Sequence, residues 1–240
     1  MIGSGTYAEG AECTLTATPN EGYAFTHWTE NGEVVSTDAT YSFTVTGDRN
    51  LVANFDHAYV DLGLPSGLLW ATCNVGADTP EEYGDYFAWG ETTPKSVYNW
   101  DTYQHYDGSN LTKYTEGDGL TTLLPEDDAA AANWGGNWRM PTKEEFQELY
   151  NNTTVTWTQQ NGVNGRLFTA SNGNSLFLPA AGYRWDDELK GAGDWGDYWS
   201  SSLNAGNPGR ARDLYFTPDY YFVYNGDRNY GFTVRPVREN

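Results

Sequence analysis

Apolar and polar residues alternate with period two along the first quarter of the chain. Thr14-Leu15-Thr16-Ala17-Thr18 is one such run and Tyr23-Ala24-Phe25-Thr26-His27-Trp28 a second. Tyr41-Ser42-Phe43-Thr44-Val45 and Leu51-Val52-Ala53-Asn54-Phe55 are two more, joined around Gly47-Asp48. Alternation puts successive side chains on opposite faces of a strand, so each run reads as a half-buried strand. Pro19-Asn20-Glu21-Gly22 is turn chemistry, and Asn31-Gly32 is a strong hairpin signal. No stretch here has helical period. Residues 1–57 are therefore predicted to form one small β unit.

Residues 58–240 carry mixed signals. Pro125-Glu126-Asp127-Asp128 followed by four alanines places acids in the first turn of a predicted helix. A second helix is predicted from Thr142, with Thr142 and Glu145 forming a capping box and Phe146, Leu149 and Tyr150 sharing one face. After Asn151 the pattern turns to short strands: Arg166 to Thr169, Ser175 to Pro179, Tyr198 to Ser202, Asp213 to Phe216, Tyr220 to Tyr224 and Phe232 to Val237. Residues 84–119 read as long aromatic loops. Helices first and strands later predict an α+β fold rather than a wound parallel sheet.

The phase of the last strands indicates what they display. In Asp213-Leu214-Tyr215-Phe216, Leu214 and Phe216 share one face, which leaves Asp213 and Tyr215 on the other. With Tyr221 and Val223 taken as the core side, Tyr220, Phe222 and Tyr224 are displayed, and Asn225-Gly226-Asp227-Arg228-Asn229 is expected to turn beside them. The alternative is that these rings are interstrand packing. Trp199, Phe216, Phe232 and Val234 are assigned to the core.

Composition narrows the function. The chain has 240 residues, enough for one or two domains. Its 10 Trp, 18 Tyr and 10 Phe exclude disorder. No apolar run approaches the ~18 residues of a membrane span. A net charge of −20 repels phosphate backbones and anionic surfaces, which argues against nucleic acid and anionic membrane surfaces as partners. That charge is uneven. Residues 180–240 hold seven of the thirteen bases and thirteen of the rings, a near-neutral, ring-rich stretch of the kind that makes binding hot spots.

Cys13 and Cys73 cannot staple a fold of this size and read as small buried apolar residues, with their pairing left open. Met1-Ile2-Gly3-Ser4 is not a basic and apolar leader. The extracellular character of the composition leads us to expect a secreted or surface protein whose leader is absent from this sequence.

Catalytic chemistry finds little support. Of His27, His57 and His105 only the last lies in the second unit, and no nucleophile motif surrounds it. Asp127-Asp128 and Asp186-Asp187 could do acid–base work, but solvated surface acids are the default in so acidic a chain. Asp107-Gly108-Ser109-Asn110 and Glu116-Gly117-Asp118-Gly119 could hold a structural calcium, although neither completes an EF-hand loop. We expect no other cofactor and leave metal ligands unassigned.

Two resemblances follow from longer motif series. Gly5-Thr6-Tyr7-Ala8-Glu9-Gly10, Leu15-Thr16-Ala17-Thr18-Pro19 with Gly22-Tyr23, Phe25 and Trp28, then Phe43-Thr44-Val45 and Leu51-Val52-Ala53-Asn54-Phe55 resemble the divergent internalin-type B-repeat of bacterial surface proteins. That resemblance implies a stalk or spacer, here expected to lack its first strand and so to leave an unpaired edge. In the second unit, Leu64-Pro65-Ser66-Gly67-Leu68-Leu69-Trp70-Ala71-Thr72-Cys73-Asn74-Val75-Gly76-Ala77 is followed by Tyr83-Gly84-Asp85-Tyr86-Phe87-Ala88-Trp89-Gly90-Glu91 and Gly136-Asn137-Trp138-Arg139-Met140-Pro141-Thr142. Leu178-Pro179-Ala180-Ala181-Gly182-Tyr183-Arg184, Tyr198-Trp199-Ser200-Ser201-Ser202 and Val234-Arg235-Pro236-Val237 complete the series. It resembles the Fibrobacter major paralogous domain of gut-bacterial surface proteins.

The second resemblance implies a C-type lectin-like fold, similar to that of the formylglycine-generating enzymes and to variable proteins of diversity-generating retroelements. No cysteine follows Cys73, which argues against the copper-binding oxidase activity of those enzymes. Asn207-Pro208-Gly209 without a Trp-Asn-Asp strand argues against a calcium-bridged sugar. The retroelement relation implies residues rewritten at template adenines.

Together these readings give an α+β, C-type lectin-like domain over 58–240, preceded by an all-β repeat over 1–57. The expected function is a non-enzymatic, secreted or surface ligand-binding protein with a retroelement-diversified binding face, the alternative being a structural subunit of a pilus, cell surface or phage tail. The expected partner is a protein or glycan on another cell or phage. The expected ligand-binding residues are Asp186, Asp187, Asp194, Trp195, Asp197, Asn207, Arg210, Asp213, Tyr215, Thr217, Tyr220, Phe222, Tyr224, Asn225, Asp227 and Tyr230. Among them, Trp195 cannot arise from an adenine-mutated Asn codon ending in C or T and reads as a fixed contact or core residue.

Overall fold

The computed structural model describes residues 2–240 and divides the chain into two units, Met1–Ala58 and Tyr59–Asn240. The first unit consists of β1 (Glu12–Thr16), β2 (Tyr23–Glu30), β3 (Glu33–Ser36), β4 (Thr40–Thr44) and β5 (Leu51–His57). β1 pairs with β4, and β2 lies between β3 and β5, all antiparallel. The β2–β3 turn is Asn31-Gly32, both residues at positive φ (51° and 87°), which matches the right-handed twist of the flanking strands. β4 and β5 do not pair with each other; residues 45–50 carry the chain from one sheet to the other. Trp28 anchors the core beside Cys13, Leu15 and Ala17, and its indole N–H donates to the Asp38 carbonyl at 3.1 Å. Ile2 exchanges backbone hydrogen bonds with Thr16 at 2.9 and 3.0 Å, so β1 is paired along both edges at that end.

The second unit begins with β6 (Tyr59–Asp61) and β7 (Leu69–Ala71), followed by α1 (Ala129–Trp134) and α2 (Lys143–Asn151). Then come β8 (Thr153–Gln160), β9 (Val163–Ala170), β10 (Ser175–Pro179), β11 (Tyr183–Trp185) and β12 (Glu188–Lys190). β13 (Gly196–Leu203), β14 (Arg210–Phe216), β15 (Tyr221–Asp227) and β16 (Val237–Arg238) complete it. The sheets are ordered β16-β7-β6, β10-β9-β8, β11-β12 and β13-β14-β15, and each of these pairings is antiparallel.

This architecture overturns the α+β, C-type lectin-like expectation: 41% of the described residues lie in strands or β-bridges and 9% are helical. The helix signals were real but local. Pro125–Asp127 forms only a 3-10 turn, and Asp128 is the N-cap, accepting from the Ala130 and Ala131 amides at 2.9 and 3.0 Å. α1 then ends after six residues at Gly135, whose φ of 66° stops it. α2 carries the capping box, with Glu145 N–H to Thr142 Oγ1 at 3.3 Å and Thr142 N–H to the Glu145 carboxylate at 2.7 Å. Meanwhile β8 adds a strand that polar threonines and glutamines hid from the periodicity, and Asn161-Gly162 turns it into β9.

The sheet β13-β14-β15 separates two apolar clusters. Tyr198, Leu214, Phe216 and Val223 face one of them, with Trp70, Phe146, Leu149 and Phe168. Trp199 and Ala211 face the other, with Phe87, Trp89, Phe232 and Val234. Trp199, Phe216, Phe232 and Val234 are all buried. The expected turn at Asn225-Gly226-Asp227 is a correction: these residues continue β15 and pair with Arg212, Ala211 and Arg210. Gly226 is there for packing, not turning. A Cβ on it would lie 2.5 Å from the Phe232 ring and 2.7 Å from Trp199.

Candidate functional site

Alternation along three strands builds a cleft on one face of this sheet. Asp197 on β13, Asp213 and Tyr215 on β14, and Phe222, Tyr224 and Gly226 on β15 line it together. The open cleft has a volume of about 540 Å³ and is lined further by Tyr183, Trp195, Tyr230 and Phe232. Of the residues expected from sequence, Trp195, Asp197, Arg210, Asp213, Tyr215, Phe222, Tyr224, Asn225, Asp227 and Tyr230 converge here.

The walls are aromatic. On one side Tyr215, Phe222 and Tyr224 form a triangle with ring centroids 5.6, 5.7 and 6.1 Å apart. On the other, Tyr183 stacks on Trp195 at 6.4 Å and lies 5.5 Å from Tyr230. Trp195 fits only because Gly191 has no Cβ, which would stand 1.9 Å from the indole. At the rim, Arg210 Nε donates to Asp227 at 2.8 Å, and Asn204 donates to the Asn225 side-chain oxygen at 2.9 Å.

The floor is acidic. Asp197 pairs across the ladder with Tyr215, and Trp199 with Asp213, so the two aspartates are diagonal neighbours on one face. Asp213 is fully buried and Asp197 nearly so. Both carboxyls are raised above the usual range, chiefly by burial; Asp213 further raises Asp197 by charge repulsion. The Gly226 amide, the Arg212 charge and the Asp213 amide oppose the rise at Asp213, yet none of them reaches hydrogen-bond geometry, and no donor does so at Asp197 Oδ2 or either Asp213 oxygen. Buried acceptors are rarely left unmet, so the floor is suited to receive hydrogen-bond donors or positive charge. A pair that shares a proton can also both give and accept one. The expectation that Asp213 is displayed is thus corrected. It takes the face opposite Leu214, as alternation requires, but it lies fully buried at the bottom of the cleft.

The remaining expected residues lie elsewhere. Asp186 has φ 51° in the β11–β12 turn and accepts from Asn99 Nδ2 at 2.9 Å; Asp187 beside it is exposed. Asp194 is exposed in the turn before β13, and Asn207, also exposed, caps the β13–β14 loop by accepting from Gly209 N–H at 3.2 Å. The Thr217 carbonyl accepts from Arg166 at 2.7 Å, and its hydroxyl oxygen accepts from the Tyr220 amide at 3.1 Å. Tyr220, 66% exposed, precedes β15 and stands outside the cleft. Tyr183, Gly226 and Phe232 also line the cleft, and the only signal for any of them in sequence is the place of Tyr183 in the series from Leu178 to Arg184.

Two arginines of this quarter are structural. Arg228, expected in a turn, is fully buried and donates to Tyr103 Oη at 2.8 Å and to the carbonyls of Pro208, Lys113 and Tyr114. Arg235 is fully buried too, bonded to Asn74 Oδ1 at 2.8 Å and to the carbonyls of Ala71, Thr72 and Phe177.

Other candidate groups serve the fold. His105 is buried, with Nε2 3.0 Å from the Gly90 carbonyl, and burial lowers its pKa. Asp127 accepts from Lys113 and Tyr114, and Asp128 caps α1 and holds the Met140 amide at 2.8 Å. Asp107 accepts from the Ser109 and Asn110 amides, and Asp118 from those of Thr115 and Leu120, which lowers both carboxyls. Among the described residues no three His, Cys, Asp or Glu side chains group as metal ligands. Cys13 and Cys73 are both free thiols and buried.

Residues 1–58 match the family model of the divergent InlB B-repeat domain. Domains of that type are typically found on surface or extracellular proteins. No curated protein and no solved structure matches the chain. Among the described residues no helix is long and apolar enough to cross a membrane.

Proposed function

We propose that this chain is a non-enzymatic binding protein, secreted or held at the cell surface, in which the repeat of residues 1–58 is a spacer and the cleft of the second unit captures a protein or glycan ligand. The observation that carries the reading is the convergence of aromatic and polar side chains, chosen for their character in sequence, on one cleft about 540 Å³ in volume. Rigid rings around a few directed polar groups are the usual composition of a recognition surface. The motif series from Leu64 to Val237 supports kinship with Fibrobacter major paralogous domains, and hence diversification of residues 180–240 by a retroelement.

Two experiments test this. Capture on protein and glycan arrays is expected for the full chain and should disappear in Phe222→Ala/Tyr224→Ala; normal capture by that variant removes the cleft from the function. Deep sequencing of the encoding locus in a bacterial population is expected to find substitutions confined to template adenines at the cleft codons. A uniform locus with no template repeat removes the diversification.

A structural subunit of a pilus, cell surface or phage tail is the second reading. The ring of Tyr220, outside the cleft and 66% exposed, favours it. Concentration-dependent assembly in sedimentation, abolished by Tyr220→Ala, would support that role.

A further inference from the structure

We propose that the acidic floor of the cleft receives a primary ammonium group, the side chain of a lysine presented by a protein partner. The inference rests on the cleft being the ligand site and names what it recognises.

Three buried carboxylate oxygens point to this chemistry: Asp197 Oδ2, Asp213 Oδ1 and Asp213 Oδ2 all lack a donor. Both side chains line the cleft, and both are more than nine-tenths buried, with Asp213 at 0% exposure and Asp197 at 5%. An ammonium has three N–H donors and no acceptor, so it can meet these three oxygens once the pair releases the proton that burial leads it to hold. It also brings the positive charge that two adjacent buried carboxyls lack.

The walls suit the rest of such a ligand. Tyr215 and Tyr224 flank the floor with their rings, and aromatic faces attract a cation while packing on the methylene stem that carries it. The rim cation, Arg210, is engaged by Asp227. Arg212 lies next to Asp213 in sequence, and its charge acts on Asp213 without a bond to it. A cleft of about 540 Å³ exceeds one lysine side chain, which leaves space for the residues on either side of it in a partner loop. A chain of net charge −20 draws such a partner in.

The test uses the full chain and calorimetry with three probes: Nα-acetyl-lysine methylamide, the same compound acetylated at Nζ, and a set of methyl glycosides. We expect saturable binding of the first and at least about tenfold weaker binding of the second. Asp213→Asn and Asp197→Asn, each checked for an intact melting transition, should weaken the lysine probe by a similar factor. Equal binding of the charged and acetylated probes, or full affinity in both Asn variants, would overturn the assignment. Failure of the lysine probe to bind overturns it as well. If glycosides bind instead, the cleft remains the ligand site and only the ammonium is wrong; if nothing binds, array capture by the intact chain decides separately whether the cleft functions at all.

Discussion

Arg228 donates its Nε–H to the Tyr103 hydroxyl oxygen at 2.8 Å, and that hydroxyl donates in turn to the Trp89 carbonyl at 2.6 Å. The guanidinium also lies over the rings of Trp89, Tyr103 and Tyr114, 4.9 to 5.7 Å from their centroids. One side chain next to the cleft strand thereby ties down three segments of the long aromatic loops. Arg228→Ala should cost at least about 3 kcal/mol, because several buried acceptors lose their donor. Arg228→Lys should recover little, since one ammonium cannot reproduce the fork. Chemical denaturation of both variants measures this, and a near-native lysine variant would contradict it.

The aspartate pair makes stability depend on pH. Both carboxyls have raised pKa values in the folded chain, so between the unfolded aspartate value of about 4 and the raised values the folded state binds more protons than the unfolded one. Stability conferred by protonation is therefore present at low pH and lost as pH rises through that window. Asp213→Asn should raise the Tm at neutral pH by a few degrees and flatten its fall with pH. A variant that melts lower at neutral pH would show that the charged pair supports the fold.

Phe222 and Tyr224 are 39% and 51% exposed. Their truncation to alanine should change stability by no more than about 1 kcal/mol while abolishing capture. A melting curve and a binding curve on the same double variant decide it. Coupled loss of both would mean that the rings belong to the core.

Gly226 predicts a steric defect. In Gly226→Ala the new methyl must displace Phe232 or Trp199, at a cost of about 1–3 kcal/mol, and the shifted Phe232 ring narrows the cleft. Small-ligand affinity and Tm should fall together. An unchanged pair of values would mean that the cluster yields without strain.

What the chain disclosed in advance depended on the range of the interaction. The alternation of β15 is local, and it correctly separates Phe222 and Tyr224 from the side of Val223. The capping box of α2 is local as well. Asn225-Gly226 looked like a turn because its sequence is a turn signal; the reason for the glycine, Phe232 and Trp199 above it, lies in distant segments. The burial of Asp213 was hidden for the same cause, since alternation gives two faces without saying what covers each. The meeting of Asp197 and Asp213 needs the β13–β14 register, which passes through an irregularity between Trp199 and Leu203. β8 could have been found: Asn161-Gly162 carries the same signal as Asn31-Gly32.

The two faces of β15 answer to different masters. Val223 packs into the interior, whereas Phe222 and Tyr224, its neighbours on either side, look into the cleft. Substitution at Phe222 and Tyr224 leaves the packing of Val223 in place, so on one strand the demands of folding and the shape of the cleft are met by different residues.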